Sequence, residues 1–433
     1  MKVALISLGC SKNLINSEQM LWRLREAGHE PVDDPALADA AVVNTCGFLE
    51  SACAEAIEQI IELTEPKIII VAGCMAERYK SAVMKELPEA DGVLGCGSFD
   101  EIVSVLEEAA DGKKPERFGD INTPVSETPR ILGTPQYTAY LKVAEGCDNN
   151  CAYCAIPGLR GKFRSRGMEN IIKEAEALAA GGVKELTLVA QDTTRYGLDY
   201  YGRRALPELI DKLCEIPGIR WLRLHYLYPA DVTPELIGTI ARQPKCVPYF
   251  DIPVQHCNDK LLESMGRRGS KADLIRMVGN IREKIPGAVL RTSLIVGLPG
   301  ETDKDFEELC EFLRLTGWER AGVFEYSPEE GTRAAEMPGQ VEAGVKARRR
   351  EIIEDIRREI IDAFNETLIG KALEVLCEGY DHGAGCYFGR AYCDAPEVDG
   401  KVFFTSKNII NAGDFVTVIP TETVDGDLFG GLT

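Results

Sequence analysis

Residues 137–154 read YTAYLKVAEGCDNNCAYC, in which an alternating segment typical of a β-strand runs directly into three cysteines. Cys147, Cys151 and Cys154 have the spacing C-x3-C-x2-C. Thiolate sulfur is the usual protein ligand of iron–sulfur clusters, and three thiolates leave one iron of a four-iron cluster open for reaction. Zinc normally takes four protein ligands, and no fourth Cys or His lies close by in the sequence. The loop therefore predicts a reactive iron–sulfur cluster in preference to a zinc loop or buried thiols.

Downstream of this loop, short apolar runs alternate with helical patterns. The predicted strands are residues 137–145, 184–192, 221–228, 249–256, 289–297 and 321–328. The helical patterns between them include residues 169–181, 207–216, 272–285 and 305–317. Six βα units favour a laterally open (β/α)6 barrel, a partial TIM barrel, in which chemistry takes place at the C-terminal ends of the strands. The cysteine loop follows the first strand, as that rule requires.

Residues 1–110 show the same alternation on a smaller scale. The apolar runs are residues 3–10, 40–47, 67–74 and 91–97. The helical patterns are residues 17–29, 51–65, 75–87 and 99–111. Short runs rich in Val and Ile fit buried parallel strands, so this part predicts a flavodoxin-like parallel sheet covered on both faces.

Cysteines stand at the ends of these predicted strands. Cys10, Cys46 and Cys74 each follow a different strand, and in open α/β sheets ligands bind outside the carboxyl ends of the strands. The three thiols are therefore expected to converge as ligands of a second metal cluster; the alternative is that small buried cysteines simply suit strand ends. Cys96, at a fourth strand end, could be a ligand or a core residue, and Cys53 is expected in the core.

The remaining boundaries follow from composition. Residues 111–136 are rich in Pro, Gly and Thr without periodicity, which predicts a linker. A long helix is predicted over residues 342–365, with Arg and Glu at i,i+4 spacing on a solvated surface. Short strands at 371–380, 386–393, 401–406 and 414–420 then predict a small antiparallel β-barrel. We divide the chain into residues 1–125, a linker at 126–136, residues 137–366 and residues 367–433.

Composition limits the class of protein. The chain of 433 residues is 45% hydrophobic and 27% charged, as in ordinary globular domains. No apolar run approaches the ~18 residues of a membrane span, so we expect no membrane association and a cytoplasmic location. There, the 15 cysteines are expected as metal ligands or reduced core residues rather than disulfides. The net charge of −20 favours a basic partner over nucleic acid, or serves solubility alone.

Several motifs in combination resemble the radical S-adenosylmethionine (SAM) enzymes, and within them the methylthiotransferase branch. The resembling segments are LGCSKNLINSEQ (8–19), VVNTCGF (42–48), VAGCMAERY (71–79), CDNNCAYC (147–154), IPGLRGKFRSR (156–166), IVGLPGET (295–302) and YSPEEGT (326–332). Residues 367–433 resemble a TRAM domain, which in relatives contacts the substrate. The resemblance covers essentially the whole chain.

The resemblance implies two four-iron (4Fe-4S) clusters and SAM as cofactors. One cluster is implied on the catalytic ligands Cys147, Cys151 and Cys154, where SAM chelates the open iron and is cleaved to a 5′-deoxyadenosyl radical. The other, auxiliary cluster is implied on Cys10, Cys46 and Cys74 and holds the sulfur that a first SAM methylates. Each turnover therefore uses two SAM, one as methyl donor and one as radical source. A one-electron donor such as flavodoxin or ferredoxin is implied as a partner.

The sequence gives weaker evidence for the residues that contact SAM than for the cluster ligands. Tyr153 lies between cluster ligands, where relatives place a residue near the adenine, and Gly297, at a strand end, would let backbone approach a ligand closely. Gln191, Gln255 and Arg291 sit in predicted strands and could face the barrel interior. Each has a structural alternative, because buried polar groups often satisfy neighbouring backbone, and Arg291 could form an ion pair.

A basic stretch follows the cluster loop. Arg160, Lys162, Arg164 and Arg166 could grip a carboxylate bidentately or form an exposed, solvated loop. His225 and His256 are expected to be core or hydrogen-bonding residues rather than metal ligands.

The substrate is expected to be a protein. One subfamily modifies tRNA adenosines and another the β-carbon of an aspartate in ribosomal small-subunit protein S-twelve; LGCSKNLINSE, FDIPVQH and GRAYCDAPEVDGKVFF (389–404) resemble the second. From Gly370 onward ten acids face only four bases, which would repel RNA and suit a basic ribosomal protein. We therefore expect S-twelve as substrate, with tRNA as the alternative and a non-catalytic iron–sulfur electron carrier or scaffold as a third interpretation.

Overall fold

The N-terminal part is a six-stranded parallel sheet with helices on both faces. The computed structural model describes residues 1–432, so Thr433 of the predicted last domain lies outside the described residues. The strands are β1 Lys2–Ser7, β2 Glu30–Val32, β3 Ala40–Thr45, β4 Ile68–Gly73, β5 Gly92–Leu94 and β6 Glu116–Arg117. The helices are α1 Ser11–Glu26, α2 Glu50–Glu62, α3 Cys74–Tyr79, α4 Ser81–Glu86 and α5 Ile102–Ala110. The strand order β2-β1-β3-β4-β5-β6 contains the flavodoxin-like order 2-1-3-4-5, which confirms the predicted class.

Three details of this sheet differ from the sequence-based expectation. The edge strands β2 and β6 carry no apolar run, and β6 lies inside the segment from residue 111 that was predicted as linker. The helix predicted over 75–87 is two helices, because Lys80 adopts a left-handed backbone with φ 46° between them. Helix α1 begins six residues before its apolar pattern, since its first turns bury polar side chains toward the functional site.

The central part is an open barrel. Its strands are β7 Thr138–Lys142, β8 Ala144–Glu145, β9 Arg164–Ser165, β10 Glu185–Val189, β11 Trp221–Leu224, β12 Cys246–Asp251, β13 Val289–Val296 and β14 Arg320–Glu325. Its helices are α6 Ile156–Arg160, α7 Met168–Ala180, α8 Leu206–Glu215, α9 Pro234–Arg242, α10 Asp259–Ser264, α11 Lys271–Lys284 and α12 Asp303–Thr316. Six parallel strands in the order β7-β10-β11-β12-β13-β14 form a sheet that is not closed, which confirms the partial TIM barrel.

A long helix joins the barrel to a small β-barrel. Helix α13, Ala343–Glu366, was expected to be solvated, but it buries Ile353 and Ile356 against the barrel core. The final strands are β15 Leu373–Asp381, β16 Cys386–Ala391, β17 Val402–Thr405, β18 Phe415–Val424 and β19 Asp427–Leu432. They close into a barrel whose pairings are antiparallel except for the parallel pair β17–β19. Strand β19, rich in Gly, was not predicted.

The small β-barrel covers the N-terminal ends of the strands of the central barrel. Its core is continuous with Trp221, Val247 and Val289, at or near the N-terminal ends of central strands. Buried polar contacts fix this junction: Arg390 Nη2 lies 2.6 Å from Glu185 Oε2, Arg320 Nη2 lies 2.7 Å from Asp394 Oδ1, and Tyr249 donates to Asp399 Oδ2 at 2.5 Å. The C-terminal ends of the strands are thereby left as the face for chemistry.

No helix among residues 1–432 combines the length and the apolar character that crossing a membrane requires.

Candidate active site

The three strand-end cysteines of the N-terminal sheet lie at one edge. Cys10 follows β1, Cys46 follows β3 and Cys74 begins α3 directly after β4. Two glycines allow the loops to approach closely. A Cβ on Gly9, whose φ is 94°, would lie 2.9 Å from Cys46 Cβ, and a Cβ on Gly47 would lie 2.5 Å from backbone atoms of Cys74. The loops that carry the three cysteines are therefore in contact, and their role as cluster ligands stays a prediction.

Asn13 and Arg160 hold this edge together. The Asn13 amide donates to the carbonyls of Leu8 at 3.0 Å and Thr45 at 2.9 Å, which ties the ends of two strands. Arg160, at the end of α6 in the barrel domain, donates through Nε and Nη2 to Cys74 Sγ at 3.3 and 3.2 Å and also hydrogen-bonds the Asn13 side chain. A hydrogen bond from the Cys96 thiol, 3.9 Å from Cys74 Sγ, together with this guanidinium lowers the pKa of Cys74 against the opposing effect of burial.

The second set of thiols lies in the loop between β8 and β9. These two short strands pair antiparallel and close the loop at its base, where Cys147 N donates to Gly161 O at 3.1 Å. The guanidinium of Arg267, itself buried, lies 3.6 Å from Cys151 Sγ and donates to Tyr153 Oη at 3.0 Å. Each cysteine set thus has one buried arginine against a sulfur.

These surroundings fit thiolate ligands of iron–sulfur clusters. Burial raises the pKa of Cys147 to about 11 and that of Cys154 to about 12, so a free thiol keeps its proton and metal binding must displace it. A guanidinium against a sulfur stabilises the thiolate form and tunes a bound cluster through hydrogen bonding. Within residues 1–432, no three His, Cys, Asp or Glu side chains are close enough together to bind a single metal ion.

A buried polar network lies between the two cysteine sets. Lys142 Nζ donates to Glu145 Oε2 at 2.6 Å and to Asn16 Oδ1 at 3.2 Å, and Gln191 Nε2 donates to Glu145 Oε1 at 2.6 Å. Burial would raise the pKa of Glu145, but Lys142 and Arg160 hold it at about 2. A narrow cleft beside α1 reaches Lys142, Glu145, Arg160 and Cys96.

The structure places the candidate SAM contacts in different surroundings. Tyr153 packs with Leu298 and Tyr326 at the C-terminal ends of the last two barrel strands, next to the cysteine loop. Gln191 is part of the polar network at Glu145. Gln255 bridges β12 to β13 through its backbone, with a left-handed φ of 69°.

Two further candidates are engaged by protein groups. Arg291 Nη1 lies 2.7 Å from Asp251 Oδ1, the ion pair that was the structural alternative. The amide of Gly297 donates to Glu301 Oε2 at 2.8 Å, and a Cβ there would lie 2.4 Å from the Lys346 side chain. Gly297 therefore makes room for a side chain of α13.

The basic stretch divides into different roles. Arg160 contacts Cys74, whereas Arg166 is buried against Glu174, 2.7 Å from Nη1, and Glu127. Arg164 donates to backbone carbonyls, and Lys162 is exposed. His225 and His256 are buried, as expected.

Sequence reasoning missed Lys12, Asn13, Asn16, Lys142, Glu145 and Arg267. Lys12, Asn13 and Asn16 lie in the segment CSKNLIN, which begins at Cys10. Polar residues at this point, between an apolar strand and an apolar helical pattern, could have indicated a functional role. Arg267 comes from a loop far from the cysteines in sequence, so only the fold brings it to Cys151.

Comparisons with known proteins agree with this architecture. Residues 141–313 match the Radical SAM superfamily, residues 2–95 match the Uncharacterized protein family UPF0004, and residues 369–432 match the TRAM domain. The chain is 49% identical over 437 residues to "Ribosomal protein uS12 methylthiotransferase RimO" of Pelotomaculum thermopropionicum, covering 99% of this chain and 98% of the relative. The chain belongs to the RimO methylthiotransferase family.

Other relatives are similar over the same length. The protein of that name from Thermoanaerobacter is 46% identical over 434 residues, covering 99% of each chain. Among solved structures, the radical SAM methyltransferase TsrM from Kitasatospora setae, with tryptophan substrate and a SAM analogue bound, has a TM-score of 0.55 at 15% identity, covering 74% of this chain and 72% of that one. This last likeness concerns the fold alone.

Proposed function

We propose that this protein transfers a methylthio group to the β-carbon of an aspartate in ribosomal protein uS12. It is a radical SAM enzyme whose cofactors are SAM and four-iron clusters. The observation that carries the proposal is the near-complete match to RimO relatives, together with two cysteine sets on facing edges of two domains.

The residues present fit two clusters. Cys147, Cys151 and Cys154 would hold the cluster that binds SAM, and Cys10, Cys46 and Cys74 would hold the auxiliary cluster. When bound, these groups supply the radical that removes hydrogen from the substrate carbon and the sulfur that replaces it.

The chain itself positions and shields these groups. Arg267 and Arg160 each donate to one ligand sulfur from buried positions, which orients the ligand and favours its thiolate form. The network of Lys142, Glu145 and Gln191 fixes the wall between the two cysteine sets. The small β-barrel packs against the opposite end of the central barrel.

An anaerobic assay tests the proposal. The reconstituted enzyme is given SAM, a reductant and either uS12 or tRNA, and both are analysed by mass spectrometry. Methylthio-aspartate in uS12 is expected. Methylthio-adenosine in tRNA without modified uS12 would replace the proposal with the tRNA alternative, and no 5′-deoxyadenosine release from a preparation carrying both clusters would favour the electron carrier.

The setting of the reaction follows from the substrate. We infer a cytoplasmic location, where uS12 is made and assembled, and a one-electron donor such as flavodoxin or ferredoxin. The acidic net charge of −20 suits a basic ribosomal protein better than tRNA.

A further inference from the structure

Lys12 is a buried cation without an anion beside it. Its side chain is 8% exposed, and within residues 1–432 no carboxylate forms an ion pair with it. Its Nζ lies 3.4 Å from the centre of the Tyr226 ring, a cation–π contact. Burying an ammonium group with no anionic partner costs free energy, so its retention here requires an explanation.

The position of Lys12 places this charge between the two cysteine sets. Lys12 is the second residue of α1, two residues after Cys10, and Tyr226 lies just beyond the end of β11 on the catalytic face of the barrel. Tyr226 is fixed: its backbone φ is 61°, and its amide donates to Asp251 Oδ2 at 3.0 Å. A bulky residue in a left-handed conformation persists only where the surroundings hold it, so the ring is a rigid support for the ammonium.

The neighbouring cations are already satisfied. Lys142 Nζ contacts Glu145 Oε2 at 2.6 Å, and Arg160 Nη1 donates to Asn16 Oδ1 at 2.8 Å. Lys142 Nζ lies 2.6 Å and Arg160 Nη1 3.6 Å from Glu145 Oε2, whereas Lys12 forms no ion pair with a carboxylate in the part of the chain that the structure describes. It is therefore the charge available to a ligand.

We propose that Lys12 binds the side-chain carboxylate of the substrate aspartate. The inference rests on the proposed function and deepens it. The carboxylate is bonded to the β-carbon that reacts, so one ion pair to Lys12 fixes that carbon between the two cysteine-bearing edges. An asparagine at the same place offers only a neutral amide oxygen, which leaves the buried ammonium without a counter-charge, so Lys12 also selects aspartate.

The experiment is a double-mutant cycle on binding. The anaerobic holoenzyme, as wild type and as Lys12→Met, is titrated with uS12 and with uS12 in which the methylthiolated aspartate is replaced by asparagine. Lys12→Met is expected to weaken binding of the aspartate form about 30-fold or more, the loss typical of a broken buried charge pair, and to change binding of the asparagine form little. Lys12→Arg, which keeps the charge, is expected to restore part of the preference.

Controls separate this inference from other roles of Lys12. Lys67→Met removes an exposed lysine of the same domain and should leave both affinities unchanged. Equal loss for both uS12 forms would overturn the inference and assign Lys12 to balancing the charge of the auxiliary cluster. Weakened binding of SAM without the aspartate preference would also overturn it, in favour of the SAM carboxylate. Iron content and circular dichroism verify that each variant is loaded and folded, and failure of the wild type to methylthiolate uS12 would reject the proposed function itself.

Discussion

Arg160 is a single side chain that joins both halves of the site. It ends α6, which begins two residues after Cys154, and it contacts Cys74 of the N-terminal sheet. Hydrogen bonds to ligand sulfur raise the potential of an iron–sulfur cluster. The contact therefore joins the two domains, and it would raise the potential of a cluster bound at Cys74.

Replacing Arg160 with methionine should make the potential of the auxiliary cluster more negative, because a positive charge and two donors to Cys74 are lost. The measurement is a redox titration followed by electron paramagnetic resonance in a background where Cys147, Cys151 and Cys154 are alanine. Lys162→Met, in the same segment but exposed, is the control and should not change the potential. An unchanged potential in Arg160→Met would contradict the tuning role.

The ligand assignment of the auxiliary cluster is tested by iron content. The Cys10→Ala, Cys46→Ala, Cys74→Ala triple variant should retain about four of about eight irons per chain, as expected for one remaining four-iron cluster. Cys53→Ala is the matched control, since this thiol lies near the same edge and was expected to be a core residue. Full iron content in the triple variant would reject the assignment.

At the scale of elements, the junction of β10 with β16 depends on buried charge. Glu185 starts β10 and is paired with Arg390 of β16 and Arg223 of β11, and all three are almost fully buried. Burial would raise the pKa of Glu185, but the two arginines hold it at about 2. Removing one partner leaves an uncompensated buried charge.

Arg390→Met is therefore expected to destabilise the junction by about 3–5 kcal/mol, measured by denaturant unfolding and by earlier proteolytic release of the small β-barrel. Arg220→Met breaks an ion pair across the same junction, to Glu374, but both side chains are about half exposed. It should cost about 1 kcal/mol or less. Equal effects of the two substitutions would show that burial of the pair is not decisive.

His256, in the segment after β12, makes the folding stability depend on pH. Burial lowers the pKa of His256 from 6.5 to about 4. As pH falls from 6.5 toward 4, the unfolded chain takes up a proton that the folded chain does not. The free energy of unfolding therefore decreases over this range, by up to about 3 kcal/mol. His256→Gln should lose less stability between pH 7 and pH 5 in thermal unfolding, whereas His382→Gln, at an exposed site, should behave like the wild type.

Elements with a strong internal pattern could be predicted from the sequence. Strand β4 is entirely apolar and β3 begins with four apolar residues, and a cysteine directly follows each strand, so the positions of Cys46 and Cys74 at strand ends could be predicted. The edge strands β2 and β6, and strand β19 of the closed barrel, could not be predicted, because their pairing comes from neighbours rather than from their own residues. The same reason applies to Arg267 and Lys12, whose partners lie far away in the sequence.

At the scale of the whole molecule, the acidic residues of the small β-barrel fall into two groups, those in ion pairs and those that are exposed without one. Of the acids counted beyond Gly370, Glu374, Glu378 and Asp394 are paired with arginines, two of them on the central barrel. Glu422 and Asp425 are exposed and form no ion pair among residues 1–432. Only acids of this second kind attract a basic partner from solution.

Association with uS12 should consequently slow as ionic strength rises, because exposed charges steer encounter and salt screens them. The Glu422→Gln, Asp425→Asn double variant is expected to bind more slowly and with a weaker salt dependence in stopped-flow measurements. The Glu58→Gln, Glu62→Gln variant on α2 removes two acids elsewhere and serves as the control. A salt-independent rate for the wild type would count against electrostatic steering.

The junction at Glu185, Arg320 and Tyr249 has one more consequence. It closes one end of the central barrel, because the small β-barrel covers the N-terminal ends of its strands. Small molecules and the polypeptide therefore reach its interior from the C-terminal ends of the strands or through the gap between β7 and β14, the two edges of the open sheet.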